Sequence, residues 1–106
     1  MSKHCLEADY DFFGEPVRVV LWDWNDKPRG KTSERLGLML AKVWRRERQK
    51  WERMPEPFRP KSVYAEVELD GRTVILSMAF PRHHLTVFPR ARLEELVALP
   101  KQHEKN

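Results

Sequence analysis

Only one cysteine, Cys5, occurs in the 106 residues. An internal disulfide is therefore excluded, and with it the stapled frameworks on which secreted domains of this size rely. No apolar run approaches the ~20 residues that a membrane-spanning helix needs. The first eleven residues contain no apolar core of a secretory leader. These absences lead us to expect a soluble, cytoplasmic protein with no membrane partner. The four glycines are scattered, which excludes most of the clustered loops that cradle nucleotide phosphates. No Ser-His-Asp order is visible, and His4 and Cys5 with His83 and His84 match no zinc-ligand spacing. No catalytic residue, metal or cofactor is expected. Acidic pairs such as Asp9 and Asp11, or Glu66 and Glu68, have the residue types of a magnesium site, but alternating acids on a strand are far more often its wet side.

Acidic residues are also scarce in one stretch of the chain. Residues 1–27 carry a net charge of −3, residues 28–62 a net +7, and residues 63–106 none, so the overall +4 is concentrated in the middle third. A concentrated basic surface attracts polyanions: nucleic acid, acidic protein faces or anionic lipid. The alternative is that the acidic first third folds against the basic stretch and neutralises it.

What is present is enough for one core. A chain of this length buries roughly 60–70% of its unfolded surface, and 41% of the residues are hydrophobic. We expect one domain over residues 1–100 and a polar tail over 101–106. Alternation of Leu6, Ala8, Tyr10 and Phe12 with Glu7, Asp9 and Asp11 predicts a half-buried strand. Gly14-Glu15-Pro16 then supplies a turn, and Val17–Trp24 a second strand with Trp22 and Trp24 on one side. Residues 25–31 read as a loop. Thr32 or Ser33 is placed to cap a helix over 33–53, with Glu34 in its first turn.

At 100° per residue, Leu36, Met39, Leu40, Val43, Trp44, Trp51 and Met54 share one face of that helix. Arg35, Lys42, Arg45, Arg46, Gln49 and Arg53 share the other, and Leu38 points to the basic side. Prolines at 55, 57 and 60 end the helix in a stiff connector. Val63–Leu69 and Thr73–Phe80 then pair across Asp70-Gly71, with Val63, Ala65 and Val67 opposite Met78, Leu76 and Val74. Leu85–Phe88 gives a third strand, and residues 92–99 a short helix. The expected fold is α+β: a small antiparallel or mixed sheet in the order ββ-α-βββ-α. One long amphipathic helix packs on one face, and a short C-terminal helix follows.

The functional expectation rests on the helix. Arg35, Lys42, Arg45, Arg46, Arg48 and Arg53, with Arg59 and Trp51 near its end, form a candidate binding strip for nucleic acid or for a nucleoprotein or acidic protein complex. Leu38, Trp51 and Phe58 are the apolar groups nearest to it. A protein-directed inhibitor or adaptor with no nucleic-acid contact is a second reading. A third is a small ribonuclease using Arg82, His83 and His84. In element order alone the chain is similar to small mRNA-cleaving bacterial toxins, and that likeness carries no residue motif. Exposed strand edges leave a homodimer open.

Overall fold

The structure, a computed structural model, describes residues 5–24, 26–69 and 71–92. Strands β1 (Cys5–Phe12) and β2 (Glu15–Trp22) precede helix α1 (Gly30–Arg53). A single 3-10 turn (Glu56–Phe58) and strands β3 (Ser62–Leu69), β4 (Arg72–Ala79) and β5 (His84–Pro89) follow. They build one five-stranded mixed sheet in the order β1-β2-β5-β4-β3. All neighbours are antiparallel except β2 and β5. The chain is helical again from Arg90 to Arg92. The rest of the expected C-terminal helix, and the tail at 101–106, lie outside the described residues.

The period of two decides which side chains meet α1. In β1, Leu6, Ala8, Tyr10 and Phe12 pair with Leu21, Val19, Val17 and Glu15. Val19 and Leu21 continue into Leu85 and Val87 of β5, and these into Met78 and Leu76 of β4. On that face Val17, Val19, Leu21, Leu76, Met78, Leu85 and Val87 are fully buried beneath Leu36, Leu40, Val43 and Trp44 of the helix. Trp44 sits edge-on to Phe80 at 4.8 Å and to Phe12 at 6.0 Å, in the geometry that aromatic quadrupoles favour. The second hairpin has the register that its sequence predicts, Val63–Met78, Ala65–Leu76 and Val67–Val74. Ile75 and Phe88 are also buried, on the face turned away from α1.

Several boundaries differ from expectation, each for a local reason. The first turn is Phe13-Gly14, both in left-handed conformation (φ 55° and 92°), which is the two-residue turn that matches strand twist. The Asp11 carboxylate accepts the Gly14 N–H at 2.6 Å. Glu15 therefore opens β2. At its other end Asp23 turns left-handed (φ 61°). Trp24 accordingly leaves the strand and does not share a face with Trp22. The helix begins three residues early, at Gly30 (φ 58°). Neither Thr32 nor Ser33 caps it: the N-cap is Arg29, which makes no side-chain cap bond, and no acid lies in the first turn. Met39 is 42% exposed, because it lies only about 40° round the helix from Arg35. Gly37 lies against Tyr10, where a Cβ would come within 2.8 Å of the ring. Close packing here explains a glycine that costs a helix interior about 1 kcal/mol.

Candidate nucleic-acid interface

Arg35, Lys42, Arg46 and Arg53 follow one line along α1 to within roughly 20°, over a length of about 27 Å. All four are exposed. Arg35, Lys42 and Arg53 form no ion pair among the described residues, and Arg46 reaches only Glu47, at 4.0 Å. Arg45 flanks the line with its guanidinium 4.3 Å from the Phe13 ring. That contact leaves all of its N–H donors unspent on acids.

The ridge stays cationic because the fold sends the acids elsewhere. Leu6, Ala8, Tyr10 and Phe12 face the helix, so Glu7, Asp9 and Asp11 point from the opposite sheet face. There Glu7 and Asp9 pair with Arg18 at 3.3 and 3.5 Å. Glu66 on β3 pairs with Arg90 at 3.0 Å, and Glu68 accepts the Thr73 hydroxyl at 2.6 Å. Neutralisation of the helix by the acidic first third is thus confined to Glu15, which meets Arg48 at 2.6 Å.

Three residues of the expected strip are engaged within the chain. Arg48, with a quarter of its side chain exposed, is held between Glu15 and Glu52. Arg59 closes the helix C-terminus: its Nε donates to the Met54 carbonyl and its Nη2 to the Glu52 carbonyl, at 3.0 and 3.1 Å. These are carbonyls that a helix end leaves without partners. The same guanidinium lies 4.8 Å from the Trp51 ring, whose Nε1–H donates to the Pro60 carbonyl at 2.9 Å. Arg48, Trp51 and Arg59 therefore drop out of the ridge. Glu52 lies within helical reach of Arg48, but Glu15 comes from β2 and Arg59 and Pro60 from the proline connector, contacts that helical periodicity cannot bring into view.

Beside the N-terminal half of the ridge lies an open groove of about 460 Å³. Trp24, Leu36 and Leu69 form its floor, Leu38 and Met39 its wall, and Arg35 and Lys42 its rim. Trp24 is held by Arg72, whose guanidinium lies 4.6 Å from the ring. Leu38 is 59% exposed. Its direction follows from the helical period, whereas the sequence pattern places Trp24 beside Trp22 and Met39 on the buried stripe. They meet only because of the left-handed Asp23 and the early helix start.

A second cleft, of about 290 Å³, lies between Phe12, Phe13, Trp44 and Arg48. His83 Nδ1 is 3.7 Å from the same Glu15 oxygen that Arg48 holds. His84 pairs with Arg18 and Ala79, so it belongs to the opposite sheet face. His83 and His84, paired in the expected ribonuclease site, therefore do not converge on one place. Among the described residues no three His, Cys, Asp or Glu side chains gather as a metal site; His4 lies outside them. No helix among the described residues is long and apolar enough to cross a membrane. Comparison with protein-family models, curated proteins and solved structures finds no match.

Proposed function

We propose that this protein is a non-enzymatic binding protein that captures nucleic acid on the outer face of α1. One observation carries the reading: Arg35, Lys42 and Arg53 stand exposed on one helical line with no ion pair among the described residues, while Glu7, Asp9 and Asp11 of β1 lie on the far side of the sheet. Arginine dominates the ridge, and its planar fork suits bidentate phosphate contact. The helix N-terminus adds to the same field, with Arg29 and Lys31 where a helix ordinarily carries acids. Binding then proceeds by electrostatic capture, with release of the counterions condensed on the phosphates.

Fluorescence anisotropy of a labelled oligonucleotide against salt tests this directly. Affinity is expected to fall steeply, and each of Arg35→Ala, Lys42→Ala and Arg53→Ala to flatten the log–log slope by about 0.7 to 0.9. No binding at low salt, or a slope indifferent to all three substitutions, ends the proposal.

Exposed apolar side chains favour a second reading, a protein-directed inhibitor or adaptor. Phe58 is 72% exposed and Met54 38%, and such groups at the end of a cationic ridge suit an acidic protein surface. That reading expects a stoichiometric complex with a protein from the native host, weakened by Phe58→Ser, and no binding to free oligonucleotides.

A further inference from the structure

The groove beside the ridge has a composition that phosphate contacts do not use. Its floor of Trp24, Leu36 and Leu69 is apolar, and cations line its rim. We infer that this groove takes one unstacked nucleobase, making the protein a single-strand binder in preference to a duplex binder. The inference rests on the nucleic-acid reading above.

Three observations converge on it. First, the volume of about 460 Å³ falls in the range of small-ligand sites, ~300–1,000 Å³, so a flat heterocycle fits. Second, Trp24 offers an indole already fixed in place by Arg72. A pre-ordered ring stacks a base without first losing rotamer freedom, and every base has a π-face to offer it. Third, the exposed large apolar side chains of the helix are Leu38 and Met39, about 100° apart round its axis and both lining the groove. From Arg45 to Arg53 the outer line is polar and cationic.

This distribution separates the candidate partners. An amphipathic acidic helix laid along α1 would need apolar contacts repeating every three or four residues, whereas α1 exposes Leu38 and Met39 near its start and no large apolar side chain from Lys42 to Arg53, before Met54 and Phe58 beyond its end. A duplex presents phosphates and groove edges, its base faces being stacked away, so it would leave the groove wet. A single strand matches the whole surface. Its phosphates follow the cations at Arg35, Lys42, Arg46 and Arg53, and one splayed base enters beside Trp24.

The test compares a labelled single-stranded DNA of about 12 nucleotides, within the ~4–16 known for single-strand sites, with its duplex, on the full chain at one low salt concentration. The single strand is expected to bind at least about tenfold tighter. Trp24→Ala is expected to weaken it by roughly tenfold to a hundredfold, the scale of one lost base–aromatic stack, with the duplex little changed. Because Trp24 also touches the core, Leu38→Ser serves as the second variant. Its side chain stands in solvent, and it is expected to reduce the single-strand preference with the fold intact by circular dichroism. Equal affinity for both forms, or equal losses in both, overturns the groove assignment and leaves the ridge standing. Binding of neither form overturns the ridge as well. Displacement of the oligonucleotide by poly-L-glutamate at equal charge concentration, with Leu38→Ser protecting against it, assigns the groove to an acidic protein and overturns the inference.

Discussion

At the scale of single residues, the same side-chain type acquires different roles from its neighbours. Arg48 and Arg59 are spent on Glu15, Glu52 and helix-end carbonyls, whereas Arg35 and Arg53 remain in solvent. Tyr10 is a case of the opposite kind. Its ring fits against Gly37 and Phe12, yet its hydroxyl is buried with no hydrogen-bond partner among the described residues. A buried unsatisfied hydroxyl costs about 1–3 kcal/mol. Tyr10→Phe removes the cost and keeps the ring, so unfolding in urea is expected to show a gain of about 1 kcal/mol. A loss of stability would mean that the hydroxyl has a partner after all.

At the scale of the element, α1 carries a local conflict at its first turn. Arg29 has the extended backbone of an N-cap but not the side chain, and the first turn lacks an acid. Ser, Thr, Asp or Asn at this position is worth about 1 kcal/mol, and an acid there adds about 0.3–1 kcal/mol from the helix dipole. Conflicts of this kind concentrate where function is served at the expense of stability. Arg29→Asp is therefore expected to raise the thermal midpoint by several degrees and at the same time to weaken oligonucleotide binding. A variant that gains stability with unchanged affinity would remove Arg29 from the interface.

The helix is also where the sequence was most legible. The five-turn amphipathic period identified the buried Leu36, Leu40, Val43 and Trp44 and the outward Leu38. It misplaced Met39, because a residue at the boundary of the stripe is buried or exposed according to the sheet beneath it. It misplaced the start, because Thr32 and Ser33 are good caps by composition and a left-handed Gly30 pre-empted them.

At the scale of the whole molecule, the sheet separates charge. The ridge and the acids of β1 lie on opposite sides of two layers. The helix alone is about 10–12 Å across, which exceeds the ~8 Å Debye length at physiological salt. The two surfaces are thereby largely screened from one another at 0.15 M salt. Reversing Glu7 and Asp9 to lysine is expected to change oligonucleotide affinity by less than about threefold at 0.15 M salt, and more at low salt. A large change at physiological salt would show that the acidic face takes part in binding. The groove belongs to this scale too. Its walls come from the loop before α1, the helix itself and the end of β3, segments with no sequence pattern in common.

Periodicity and composition sufficed for the α+β class, the two hairpins with the register of the second, and the cationic outer face of the helix. Each follows from interactions among residues near in sequence, where side-chain direction repeats every 2 or 3.6 residues. Tertiary structure alone decided the parallel pairing of β2 with β5, the capture of Arg48 by Glu15 and the meeting of Trp24 with Leu38 and Met39. Those depend on contacts between distant segments, and on left-handed residues at Asp23 and Gly30 that redirect the chain. No local pattern encodes the distance between two side chains that only the completed sheet brings together.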